Sequence, residues 1–157
     1  MKDLLCALPA GLRTVRYDSA KIPDRSHDLS HGGNCQSYVY AVLAHFGIDL
    51  PPWRSSELWA DATLTEKVTA FEPLDLLLFN RTEDPFGAHV ALSAGAGEAL
   101  HLSKSVGRPA IWSLAEFAAR DEYRVLIGGK RVLRSYCHEV CTQNRTAPVS
   151  RGRISSW

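Results

Sequence analysis

The chain has 157 residues, 45% hydrophobic and 22% charged, with a formal net charge of +1. A soluble globular domain of that size buries about 70% of its unfolded surface and needs no disulfide or metal for stability. Disordered, collagen-like and coiled-coil chains are excluded, no run approaches the ~18 apolar residues of a membrane span, and the charge balance does not point to nucleic acid.

Residues 1–30 lack periodicity and are broken by Pro9, Gly11 and Pro23. The start has one Lys, an acid at Asp3 and a short apolar stretch cut by Pro9, which is not a conventional secretion signal. The expected location is the cytoplasm, or outside the cell by an unconventional export route. Asn34 is a good N-cap, and Tyr38, Val39, Val42, Leu43 and Phe46 recur after it at helical spacing. The pattern predicts a helix over 35–46, stopped by Gly47 and kept from resuming by Pro51 and Pro52. Residues 55–60 read as a short second helix and 61–73 as loop. Strands are expected at 76–80, 89–93 and 100–103, the last two joined by a turn at Gly95-Ala96-Gly97. Ser113 and Glu116 make a capping box opening a helix to about residue 120. Two more strands, 123–127 and 131–134, flank Gly128 and Gly129. A helix followed by a mainly antiparallel sheet is an α+β layout.

Residues 130–157 hold six basic side chains against the single acid Glu139, a net of +5 that leaves −4 for the rest. A basic tail over 136–157 can touch anionic polymers, a solvated end being the plainer reading. Of the four cysteines, Cys6, Cys35, Cys137 and Cys141, none has framework spacing. Cys137, His138 and Cys141 lack a second ligand pair, so no metal site is expected. Trp53, Trp59 and Trp112 read as packing residues, with a substrate groove as the alternative.

Cys35 falls in the first turn of the predicted helix, where free N–H groups and the macrodipole favour a thiolate. A pKa lowered to about 6 would make roughly 90% of the thiol anionic at pH 7. Such a nucleophile needs a base, and His89 and His101 lie on either side of the predicted hairpin. A three-residue turn at 95–97 pairs Ala91 with His101 and makes His89 its diagonal neighbour on the same face. A two-residue turn at 96–97 sends His101 to the opposite face.

The run Asn34-Cys35-Gln36-Ser37-Tyr38-Val39-Tyr40 resembles the start of the catalytic helix in NlpC-type peptidases, cell-wall hydrolases with a papain-like fold. Phe46-Gly47-Ile48-Asp49-Leu50-Pro51 matches that family's helix exit. Glu72-Pro73-Leu74-Asp75-Leu76-Leu77-Leu78-Phe79 and His89-Val90-Ala91-Leu92-Ser93-Ala94-Gly95 resemble two of its strands. Together these motifs cover about residues 30–127. The resemblance implies an NlpC-like catalytic domain over 31–135 that needs no cofactor. Its catalytic residues would be Cys35 as nucleophile, His89 as general base and then acid, and His101 to orient His89. Asn34, Gln36 and Tyr17 are the expected substrate-binding residues, Tyr17 standing for the family's upstream Tyr. The implied reaction is hydrolysis of amide bonds in peptidoglycan stem peptides by an endopeptidase or amidase. Gln36-Ser37 replaces the family's Ser-Gly, and Leu74 replaces a Gly. The alternatives are a thiol acyltransferase or amidase on a cytoplasmic substrate, and a catalytically silent binding module.

Overall fold

In the computed structural model, residues 4–133 are described. Four helices, α1 (Ala10–Arg13), α2 (Cys35–His45), α3 (Ser55–Ala60) and α4 (Leu114–Ala118), accompany six strands. The strands are β1 (Thr65–Val68), β2 (Leu76–Asn80), β3 (His89–Gly95), β4 (Glu98–Leu102), β5 (Pro109–Ser113) and β6 (Val125–Val132). They form one sheet in the order β1-β6-β2-β3-β4-β5, every neighbouring pair antiparallel. The α+β expectation holds, and the basic tail lies outside the described residues.

The sheet has two unlike faces, because successive residues of a strand point to opposite sides. On one face Leu76, Leu78, Val90, Leu92, Leu100 and Leu102 make a large aliphatic core with α2. Tyr38 to Leu43 of α2 are all buried, so this helix is covered all round rather than amphipathic. Its two tyrosines satisfy their hydroxyls on backbone carbonyls, Tyr38 on Leu12 at 2.7 Å and Tyr40 on Trp53 at 2.9 Å. Leu4, Leu8 and Val15 join the same core. The N-terminal segment is thus part of the domain's interior, although its sequence has no period to announce that. The opposite face carries a smaller, aromatic cluster of Phe79, Trp112, Phe117 and Tyr123 with Leu77, Ala91 and Ala99.

Three strands differ from expectation. Residues 65–68, read as loop, form the edge strand β1, which pairs Thr65 with Val132 and Val68 with Gly129. Its four residues, two of them charged and exposed, are too few to display alternation. The two strands expected around Gly128 and Gly129 are one, β6. The glycines serve close approach rather than a turn: a Cβ on Gly128 would sit 2.7 Å from the Trp59 ring, and one on Gly129 2.7 Å from Phe71. Strand β5 had no sequence signal beyond Pro109 at its start, a position where a strand tolerates proline.

Asp75 directly precedes β2 and is buried at 2% exposure. Its carboxylate accepts Arg131 Nε at 2.9 Å and Nη2 at 2.8 Å, and the Glu72 N–H at 2.7 Å. Arg131 also reaches Glu72 at 2.8 Å. This fork binds β6 to the turn before β2. In that turn Leu74, at the position of the family's Gly, has a φ of +76°, the left-handed region that glycine enters freely.

Candidate active site

The start of α2 is built by a reciprocal cap. Asn34 Oδ1 accepts the N–H of Gln36 at 2.9 Å and of Ser37 at 2.8 Å, while Ser37 Oγ accepts the Asn34 N–H at 2.8 Å. Ser37, a departure from the resembling motif, is the residue that completes this box. Cys35 follows the cap half-buried, with the N–H groups of Val90, Gln36 and Cys35 itself directed at its sulfur. Tyr17 is held beside it, since a parallel bridge joins Tyr17 to Gly33, with Asp18 N–H on Gly33 O at 2.8 Å and Gly33 N–H on Arg16 O at 3.0 Å.

His89 opens β3 and is delivered by a loop fixed at two points. Ser55 Oγ accepts the Ala88 N–H at 3.1 Å and donates to Pro85 O at 2.7 Å. Asn80 Nδ2 donates to Asp84 O at 2.8 Å and to Phe86 O at 3.2 Å. His101 lies on β4, and its Nδ1 is 2.8 Å from His89 Nε2, with the two rings perpendicular. The turn between the strands has two residues, Ala96 and Gly97, not the expected three. Ala94 is an extra residue in β3, between the pairs Ser93–Ala99 and Gly95–Glu98. This bulge restores the register of a three-residue turn, so Leu92 faces Leu100 and both imidazoles share one face.

Aromatic rings enclose the imidazoles. The His89 ring is 4.5 Å from Tyr123, and the His101 ring is 4.2 Å from Trp112 and 4.7 Å from Phe117. His101 is fully buried, and its Nε2 has no hydrogen-bond partner among the described residues. Burial pulls His89 down to about 3 and His101 to about 2, the latter also through the charges of His89 and Arg120. Burial likewise pushes the Cys35 thiol up, against the pull of the three N–H groups and of Arg54. The expected lowering of its pKa is therefore not found. Desolvation of the sulfur opposes the helix terminus, and burial favours the neutral forms of the thiol and of both imidazoles.

A cleft of about 680 Å³ exposes Cys35 and His89 between Tyr17 and Tyr123, with Lys104 and Glu122 at its rim. Cys35, His89 and Tyr17 meet there as the sequence led us to expect, and His101 stands behind His89. Asn34 and Gln36 are not among the cleft-lining residues. Asn34 is committed to the cap, and Gln36 Oε1 accepts Arg54 Nε at 3.2 Å in a buried position. Tyr123 was missed, because a tyrosine at the start of an expected strand carries no signal of the site. Trp112 packs on His101, and Trp53 and Trp59 pack against the aliphatic core.

No family model and no curated protein sequence matches the chain. Solved structures do. The NlpC/p60 domain of the peptidoglycan hydrolase SagA aligns with 83% of this chain and 96% of its own, at 20% identity and a TM-score of 0.53. NlpC1 from Trichomonas vaginalis aligns with 83% of this chain at 15% identity and a TM-score of 0.56, this chain spanning 42% of its length. The P60 domain of an antigen from M. avium subspecies paratuberculosis aligns over 83% and 92% of the two chains, at 14% identity and a TM-score of 0.55. With its buried helix α2 laid on an antiparallel sheet, the chain has the papain-like fold of NlpC/p60 domains.

Proposed function

We propose that the protein is a cysteine endopeptidase or amidase that hydrolyses amide bonds in peptidoglycan stem peptides. The observation that carries this reading is one cleft holding Cys35 at a helix N-terminus and His89, with His89 Nε2 2.8 Å from His101 Nδ1. The naming of SagA as a peptidoglycan hydrolase, on the same fold, supports the substrate class.

Cys35 is the nucleophile and His89 the general base. The His101 ring packs against Trp112 and Phe117 with its buried Nε2 unpartnered among the described residues, and a proton there, weakly held by a π face, is favoured over an unpaired lone pair. His101 Nδ1 is then an acceptor, His89 Nε2–H donates to it, and His89 Nδ1 is left free to take the Cys35 proton. Because burial favours neutral groups at both positions, proton transfer accompanies attack rather than preceding it. Sulfur bonds to the amide carbon, and the oxyanion is stabilised by N–H groups at the start of α2. His89 passes its proton to the leaving amine, giving a thioester. Water activated by His89 then hydrolyses the thioester and frees the thiol. The test is mass spectrometry of diaminopimelate-type and lysine-type stem peptides incubated with wild type and Cys35→Ala. New fragments with wild type alone are expected, and unchanged peptides in both samples would overturn the reading.

A further inference from the structure

The cleft does not end at Tyr17. The same side chain forms a wall of an adjoining depression of about 380 Å³, whose other charged lining residues are Arg13, Arg16 and Arg108. No acid lines it. The walls come from distant segments joined backbone to backbone, since Tyr17 N–H donates to Gly107 O at 2.9 Å. Four other arginines are paired: Arg54 on Gln36, Arg81 on Asp121, Arg124 on Asp121, and Arg131 on Asp75 and Glu72. The side chains of Arg13, Arg16 and Arg108 make no hydrogen bond or ion pair among the described residues. The cleft itself is lined by Lys104 and Arg81 against the single acid Glu122 among the described residues. In a chain of nearly balanced charge, such a concentration beside the candidate nucleophile is a local field for an anion.

We propose that Arg13, Arg16 and Arg108 form a subsite, beyond Tyr17, for the carboxylates of an acidic peptide substrate whose scissile bond lies at Cys35. This deepens the hydrolase reading and rests on it. A guanidinium pairs with a carboxylate through two parallel N–H···O bonds, so the pocket selects substrates carrying free carboxylates on that side of the bond. An amidated peptide of the same shape fits the volume and loses the pairing.

The test separates binding from cleavage. Calorimetry on the Cys35→Ala protein compares a stem tetrapeptide bearing free carboxylates with the same peptide amidated. The free acid is expected to bind about tenfold more tightly, with the ratio falling as salt is raised. In a triple Arg13→Gln, Arg16→Gln, Arg108→Gln variant the ratio is expected to fall to about one, the three residues being exposed and outside the core. Triple Arg→Lys substitution keeps the charge and is expected to retain part of the preference. Equal binding of acid and amide by the parent, no binding of either, or a preference that survives the Gln variant overturns the subsite. Cleavage by the Cys35-containing protein is read independently. A carboxylate preference without cleavage keeps the subsite and discards the hydrolase, whereas cleavage without preference does the reverse.

Discussion

The two faces of the sheet do different work with different side chains. The aliphatic face, with α2 laid across β3 and β4, holds most of the buried apolar surface and sets where the first turn of that helix points. The aromatic face is smaller, and its rings pack around two imidazoles rather than only around one another. The proposed nucleophile is therefore positioned by a region made for stability. The proposed base is positioned by a region whose burial favours a neutral, oriented imidazole. Damage to the first should appear as unfolding, and damage to the second as lost turnover in a folded protein.

The largest effect that this division predicts is at the two reacting groups. Cys35→Ala and His89→Ala are each expected to lower kcat/KM for stem-peptide cleavage by at least ~10³-fold, with thermal unfolding little changed. His101→Ala is expected to reduce kcat by about 10–100-fold with KM nearly constant, because it acts on His89 and not on substrate. His101→Asn, which keeps an acceptor for His89 Nε2–H, should recover part of that loss. Equal activity for the Ala and Asn variants would mean that only packing is at stake. On the aliphatic face, Leu43→Ala removes a fully buried side chain and is expected to cost about 2–5 kcal/mol in denaturant unfolding. Its kcat per folded molecule should match wild type, and a fall in kcat instead would break the division between the faces.

Acid should also distinguish the faces. His89 and His101 have folded pKa values held far below 6.5 by burial. Below about pH 6.5 the unfolded chain binds protons that the folded one refuses, so stability falls with pH through that range down to about pH 3. A His89→Gln/His101→Gln variant should show a shallower acid slope, measured as unfolding midpoint against pH. The raised Cys35 pKa gives a companion result: alkylation of this thiol should keep rising through pH 9. A plateau already reached at pH 6–7 would restore a preformed thiolate. The smallest effect concerns Leu74. Substitution by Gly relieves a left-handed φ worth about 1 kcal/mol and gives up partial burial of similar size. A net change within about 1 kcal/mol is expected.

Much of the site was legible because it is written in local rules. Asn34 announces the cap, the helical spacing after it announces α2, and Cys35 follows from those two. The pairing of His89 with His101 was legible only as a choice between two registers, since Gly95-Ala96-Gly97 marks a turn without fixing its length and a bulge at Ala94 leaves no sequence signal. Asn34 and Gln36 were misplaced for a related reason. Residues next to a nucleophile in sequence rotate by about 100° per position on a helix, and here they turn toward the cap and Arg54. Tyr123, Trp112 and Phe117 reach the imidazoles through long-range contacts, and Leu4, Leu8 and Val15 join the aliphatic core through tertiary packing alone, for which no periodicity exists.

The bulge at Ala94 also constrains how this hairpin can change length over generations. Deleting that one residue would leave Ser93 facing Ala99 and Gly95 facing Glu98, so the imidazoles would still share a face. An uncompensated single insertion between His89 and Ser93 would instead shift the pairing by one step and turn His89 away from His101. Tolerated changes in length should therefore collect at Ala94 and at the Ala96-Gly97 tip, which does not line the cleft.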